Sequence, residues 1–247
     1  MIKKKSINIQ IYENSEELNS AAAQKFVELA NKYIRQYNKF MVALSGGSTP
    51  KILFKKLTEQ FRSAIEWDKI CFFWSDERYV PIDHADSNAG MAMNYLFKPL
   101  NIKNENIHFV QTELDSPTEA AALYENTIRE KVYSFQDIPR FDLILLGLGD
   151  DGHTASLFPG TDALREKQKL VSENWIPKLK KWRITFTFSL LNSAKNIIFL
   201  ISGENKSAVI DEIVNNIKDY PAAHVKPVNG EVTWILDSAA GKLLPKI

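Results

Sequence analysis

The chain has 247 residues, 45% hydrophobic and 25% charged, the proportions of an ordered globular protein rather than a disordered one. Lys and Arg total 31 against 30 Asp and Glu, so a net charge of +1 gives no general attraction for nucleic acid or an anionic membrane. No apolar run approaches the ~20 residues that span a bilayer, and the single cysteine, Cys71, excludes an internal disulfide framework.

The length fits one large α/β domain or two small ones. No repeat and no Pro/Gly/Ser-rich linker divides the chain, so residues 1–247 are expected to form a single domain. The start, Met1-Ile-Lys-Lys-Lys-Ser6, is basic but leads into no apolar secretory core, and a reducing cytoplasm is the expected setting. Residues 7–12 alternate apolar and polar and predict a strand. Asn14-Ser-Glu-Glu17 then offers a helix start, with Glu17 spaced to close a capping box. Helical spacing of Ala22, Phe26, Leu29, Ala30, Tyr33, Ile34 and Tyr37 extends that helix to 37. Strands are predicted at 40–44, 70–74, 141–146, 183–188, 196–201 and 232–236. Helices are predicted at 52–61, 118–133, 204–217 and, briefly, 238–244. Continuous apolar strands alternating with helices predict a mostly parallel sheet with helices on both faces. Ligands of such sheets bind beyond the carboxyl ends of the strands, and three unusual segments stand there.

The first is Ser45-Gly46-Gly47-Ser48-Thr49-Pro50. Its glycines permit a sharp turn and close backbone approach, and Pro50 suits a first helical position. The segment is either a tight turn with a Ser/Thr cap or an anion cradle at a helix N-terminus. It lacks the Gly-Lys-Ser/Thr ending of a nucleotide P-loop. The second, Asp76-Glu77-Arg78, sets charges after the apolar run Cys71-Phe-Phe-Trp74. These are solvated loop residues or ligand contacts, and the apolar surroundings favour contacts. The third, Gly147-Leu-Gly-Asp-Asp-Gly152, fits the spacing of a dinucleotide turn, but Asp150 and Asp151 would put carboxylates where a pyrophosphate belongs. His153 is better read as a base near neutral pH, with Asp151 orienting the imidazole; a structural histidine in a capped turn is the alternative. Asp83-His84-Ala-Asp86 has no second His/Cys set at ligand spacing, and His108 and His224 stand alone, so no metal site is expected. No G-x-S-x-G elbow supports a serine hydrolase. Cys71 reads as packing, and the five tryptophans as core and cleft lining.

In this order, Ser45-Gly-Gly-Ser-Thr-Pro50, Asp76-Glu-Arg-Tyr-Val-Pro81 with His84 and Ser87-Asn88, and Gly147-Leu-Gly-Asp-Asp-Gly-His-Thr-Ala-Ser-Leu-Phe-Pro159 resemble the 6-phosphogluconolactonase family. Arg183-Ile-Thr-Phe-Thr, Gly203-Glu-Asn-Lys206 and Trp234-Ile-Leu-Asp237 continue the likeness over nearly the whole chain. The resemblance implies a three-layer α/β/α, Rossmann-like fold shared with glucosamine-6-phosphate deaminases and isomerases. It implies hydrolysis of a sugar-phosphate lactone, 6-phospho-D-glucono-1,5-lactone, in the oxidative pentose phosphate pathway, without metal or organic cofactor. It further implies His153 as general base and Ser45, Gly46, Gly47, Ser48 and Thr49 with Lys206 as phosphate ligands, Arg78 and Arg183 also contacting substrate. Neither nucleic acid nor membrane is expected as a partner, and a monomer is compatible with the sequence. The deaminase branch typically reads Asp-Gly-His-Ile-Ala-Phe-Asn-Glu-Pro. Here Phe158 stands in the glutamate's place, and a phenyl ring relays no proton. An amino-sugar-phosphate isomerase or deaminase is one rival reading; a non-catalytic sugar-phosphate sensor is the other, opposed by the neutral charge and by His153.

Overall fold

Apolar residues in the strands of this chain are continuous rather than alternating, and the computed structural model gives the reason: the sheet they build is covered on both faces. The model describes residues 7–245; the expectation for the basic start falls at residues 1–6, outside the described residues. β1 (Asn8–Tyr12) leads into α1 (Ser15–Tyr37). The Asn14 side chain accepts the Glu17 N–H at 3.0 Å, while the Glu17 carboxylate accepts the N–H of Glu13 rather than of Asn14. Then come β2 (Phe40–Leu44), α2 (Ser48–Gln60), β3 (Ile70–Trp74) and β4 (Asp76–Arg78). α3 (Asn88–Ala92) passes through a π turn (Met93–Phe97) into α4 (Lys98–Leu100). α5 (Pro117–Lys131), the small hairpin of β5 (Ser134–Phe135) and β6 (Ile138–Pro139), and β7 (Leu143–Leu146) follow. The chain continues through β8 (Val171–Ile176), β9 (Lys181–Phe186), α6 (Phe188–Leu191), β10 (Asn196–Ile201), α7 (Ser207–Val214) and β11 (Glu231–Asp237).

Six strands pair in parallel in the order β1-β11-β10-β7-β2-β3. Period-two geometry sends alternate side chains to opposite faces. Phe40, Val42 and Leu44 of β2, with Leu143, Leu145 and Ile198, pack beneath α1, α2 and the α3–α4 segment. Met41 and Ala43, with Ile144, Leu146, Ile197 and Phe199, pack on the other face against α5, α7 and the inner face of β8–β9. The fold is thus the expected three-layer α/β/α arrangement. No helix among the described residues is long and apolar enough to cross a membrane.

Five expectations need correction. Asp76–Arg78 is not a loop but a strand, antiparallel to β9 in a separate three-stranded sheet, β4-β9-β8. β8 itself was not foreseen, because Ser172, Glu173 and Asn174 break its apolar run. Pro50 occupies the third position of α2, after Ser48 and Thr49, with Gly47 as N-cap. The helix expected at 204–217 begins as a 3-10 turn (Glu204–Lys206) and is α-helical only from Ser207 to Val214. Residues 238–244 form turns rather than a helix, held by the Gly241 N–H donating to Asp237 O.

Phe199 is fully buried in the middle of β10, its ring centroid 5.2 Å from that of Trp234. Phe199→Ala is expected to lower the stability by about 3–5 kcal/mol, the range for a large aromatic removed from a core. Urea unfolding should show a fallen midpoint with an unchanged slope; a loss below about 1 kcal/mol would contradict this packing.

Candidate active site

β2 and β7 are adjacent, with Val42 opposite Leu143 and Ala43 opposite Ile144. The chain leaves β2 to build one edge of the sheet and leaves β7 to build the other. The loops beyond their carboxyl ends therefore diverge and open a crevice. These loops are 45–49 and 147–153, the two that sequence singled out.

The loop after β2 turns at Gly47, whose φ of +113° lies where side-chain-bearing residues are strained. A Cβ on Gly46 would sit 1.6 Å from Asn88 Oδ1. Asn88 is buried, donates through Nδ2 to Asp76 O at 2.8 Å, and so ties this loop to β4. Ser48 and Thr49 open α2, and their N–H groups have no acceptor one turn earlier. The Ser45 hydroxyl is buried without a partner. Gly47 and Ser48 line a cleft of about 480 Å³ together with Arg78, His84 and Asn88.

β4 and β9 bring two cations together. Arg78 pairs in register with Arg183, so both guanidiniums leave the same face of the small sheet. Arg78 Nη1 donates to Asp86 O at 2.6 Å. Arg183 Nη1 is buried and unpartnered. Among the described residues neither arginine forms an ion pair; the carboxylate of Asp86 is taken by Lys181 at 2.6 Å. Burial, then the neighbouring Arg78 charge, lowers the Arg183 pKa from its ordinary value. Immediately before Arg78 in β4, Glu77 points to the other face and accepts the N–H groups of Arg78, Asn88 and Ala89 at 2.7–2.8 Å. Burial pushes Glu77 up to about 7 despite those donors.

The loop after β7 carries His153. Its Nδ1 is hydrogen-bonded to Asp151 Oδ1, which also accepts the His153 N–H at 3.2 Å. The imidazole stacks on Phe158, centroids 3.8 Å apart and planes 19° off parallel. A Cβ on Gly149 would lie 2.0 Å from Nδ1, so only glycine leaves room for the ring. Gly152, at φ +75°, presses against Tyr220. Beyond the histidine, Ser156 Oγ donates to Asp76 Oδ2 at 2.6 Å and its N–H to Thr185 Oγ1 at 3.1 Å. Asp76 and Thr185 share a face with Arg78 and Arg183. The histidine loop is thereby fastened to the face that bears both guanidiniums. Asp76 is buried, its carboxylate turned to Ser156.

A carboxylate that accepts from Nδ1–H leaves Nε2 as the basic nitrogen. Burial of Asp151 opposes its ionisation, but hydrogen bonds from Lys178 and His153 outweigh it and hold the carboxyl down to about 2. Burial also drives His153 below the ordinary histidine value, and the pull of Asp151 does not cancel it. Burial thus favours the neutral imidazole, the form that accepts a proton.

Lys206 lies five residues beyond β10, a strand two places from β2 in the sheet. It stands beyond the same carboxyl edge, with no hydrogen bond or ion pair to the 45–49 loop. Sequence reading missed what holds it. Asp237, at the end of β11, accepts the Gly203 N–H through both oxygens at 3.1 Å, the Ala240 N–H at 2.8 Å and the Ser202 hydroxyl. That pins the turn from which Lys206 projects. Gly149, Ser156 and Lys178 were also missed; a glycine two residues before an Asp-Gly-His turn was the one available signal.

Gly149→Ala is expected to displace the imidazole and cut kcat by at least about 10², the worth of a positioned base. Far-UV circular dichroism and Tm should stay close to wild type, since the added methyl meets the ring and not the core. An active Gly149→Ala protein would show the ring to be free to move.

A family model described as glucosamine-6-phosphate isomerases/6-phosphogluconolactonase matches residues 13–234. A 6-phosphogluconolactonase of Nostoc sp. is 42% identical over 212 residues, 84% of this chain and 86% of that one. The solved 6-phosphogluconolactonase of Trypanosoma cruzi has a TM-score of 0.88 at 31% identity, over 98% of both chains. A solved monomeric glucosamine-6-phosphate deaminase shares the fold alone, with a TM-score of 0.80 at 20% identity over 96% of this chain and 100% of that one. With the matched residues spanning most of its length and the site in place at the sheet edge, the chain belongs to the glucosamine-6-phosphate isomerase/6-phosphogluconolactonase family.

Proposed function

We propose that this protein hydrolyses 6-phospho-D-glucono-1,5-lactone to 6-phospho-D-gluconate, with His153 as general base. The observation that carries the reading is an imidazole hydrogen-bonded through Nδ1 to Asp151, on a loop fastened to the face of Arg78 and Arg183, which form no ion pair among the described residues. A lactone carbonyl is already electrophilic. Its hydrolysis asks for an activated water, a place for the developing oxyanion and a grip on the distant phosphate.

Nε2 of His153 takes a proton from water as the oxygen attacks C1. The tetrahedral intermediate collapses with cleavage of the bond between C1 and the ring oxygen. The imidazolium returns its proton to that oxygen, and the new carboxylic acid ionises into solution. Asp151 stabilises the imidazolium between the two transfers, each worth roughly 10²–10⁴ in rate. Arg78 and Arg183 supply positive charge to substrate anions. The amides and hydroxyls of 45–49, with Lys206, grip the 6-phosphate and hold C1 at the histidine. No metal is needed for these steps.

Purified protein is expected to release acid from fresh 6-phosphogluconolactone faster than a blank, the substrate also hydrolysing spontaneously. A folded protein no faster than the blank overturns the reading. His153→Ala should lose at least about 10² in kcat. Because only neutral imidazole accepts a proton, the rate must fall as pH drops through the His153 pKa. That pKa is depressed by burial, so the acid limb should lie below the 6.5 of an ordinary histidine.

Lys206→Ala is expected to weaken kcat/KM for the phosphorylated lactone by about 10–150-fold, the value of a charge-assisted hydrogen bond. Turnover of plain gluconolactone should scarcely change, since it has no anion to lose. Equal weakening of both substrates would remove Lys206 from the phosphate grip.

A further inference from the structure

Asp151 offers two oxygens, and the histidine uses only one of them. Oδ1 accepts both N–H groups of His153, while Oδ2 is ion-paired with Lys178. Lys178 comes from far along the chain, at the tip of the hairpin joining β8 to β9. The tip is closed by the Leu179 N–H donating to Ile176 O at 3.0 Å and the Lys180 N–H donating to Pro177 O at 3.3 Å. Lys180 takes a left-handed φ of 49° to complete the turn. The Lys178 ammonium also lies 4.9 Å from the centroid of Phe158, the ring on which His153 stacks. Lys178, Asp151, His153 and Phe158 thus form one closed set of contacts.

We propose that Lys178 is a positioning residue for the hydrolysis: from the hairpin tip it binds the outer oxygen of Asp151 and so commits the inner oxygen to His153. The proposal rests on the assignment of His153 as the base. Two consequences follow from the geometry. The carboxylate cannot rotate to offer both oxygens to solvent, so Nδ1–H keeps its acceptor and Nε2 stays the basic nitrogen. The ammonium also offsets part of the negative charge beside the imidazole. The charged groups that face His153 are Asp151 on its own loop, Asp76 from β4 and Lys178 from the hairpin. Two of the three are anions that favour the imidazolium. Lys178 is the cation that opposes them, with burial, and favours the neutral, proton-accepting ring.

The hairpin supplies its own control. Lys181 is paired with Asp86, and Lys180, two residues from Lys178, makes no ion pair among the described residues. Lys178→Met, which keeps the stem and removes the charge, is compared with Lys178→Arg and Lys180→Met. For each, kcat is followed against pH, and the His153 imidazole is titrated by NMR in resting protein. With the Lys178 side chain half-exposed, removing its charge is expected to move the acid limb of Lys178→Met up by about 0.5–1 pH unit. Well below the limb that is a rate about 3–10-fold lower, and the NMR titration should move by the same amount. Lys178→Arg should restore the wild-type limb, and Lys180→Met should leave it in place. A folded Lys178→Met protein whose rate falls equally at every pH overturns the proposal, because a merely structural role has that signature. An equal shift in Lys180→Met also overturns it, reducing the effect to general surface charge. If the NMR titration moves while the limb of the rate does not, Lys178 acts on His153 as proposed but His153 is not the base, and the failure belongs to the proposed function.

Discussion

The parallel pairing of β2 with β7 is the constraint on which the site depends. Both strands are wholly buried, and each is forced to end at the same edge. Since the chain leaves them toward opposite edges of the sheet, their loops cannot close over each other. The crevice is therefore a product of topology and not of any particular side chain. What side chains add is tolerance of close approach. Gly46 yields its Cβ volume to Asn88, and Gly149 yields its own to the imidazole. A larger residue at 46 would displace Asn88, and one at 149 would displace the imidazole.

The small antiparallel sheet then sets the charge of that crevice. Arg78 and Arg183 stand opposite each other in register without a carboxylate partner. Like charges set opposite each other on one face of a sheet repel, and the neighbouring Arg78 charge is one of the causes that lower the Arg183 pKa, so the pairing is poorly suited to a purely structural role. An anionic ligand removes the repulsion when it binds. Glu77, one residue away, is turned to the other face and takes three backbone N–H groups at the start of α3. Its carboxyl is thereby turned away from the guanidiniums, and the Asp86 carboxylate is ion-paired with Lys181. Arg78 spends one N–H on the Asp86 carbonyl, while Arg183 Nη1 is left buried without a partner and can serve a ligand.

Sequence reading reached the parallel sheet because β2, β3, β7 and β10 are unbroken apolar runs, the mark of strands covered on both faces. It pointed to His153, Asp151 and the 45–49 loop because they stand directly beyond the carboxyl ends of such strands, where ligands of these sheets bind. It did not reach β8 or the strand character of Asp76–Arg78. Their polar residues are satisfied by long-range partners, Ser156 and Asn88 among them, which no local pattern announces. Lys178 was illegible for the same reason. Near Lys180 and Lys181 it reads as one more solvated charge, and only the hairpin's closure carries it to Asp151. Asp237, likewise, looks like the polar end of a strand until the Ser202–Gly203 turn is seen folded onto it.

Residue 158 bears on which of two chemistries this fold can carry. The deaminase and the lactonases share this backbone at TM-scores of 0.80 and 0.88, so the architecture alone does not choose between them. At this position a carboxylate would place a third anion beside the imidazole, after Asp151 and Asp76, and would favour the imidazolium. A phenyl ring instead covers one face of the imidazole and withdraws it from water. Desolvation disfavours the charged form, which is the direction in which His153 departs from an ordinary histidine. Ring-opening and isomerisation of an amino sugar call for a group that relays protons, and phenylalanine has none. The proposed hydrolysis of a lactone calls for a neutral base, and by desolvating the imidazole Phe158 favours that form of His153.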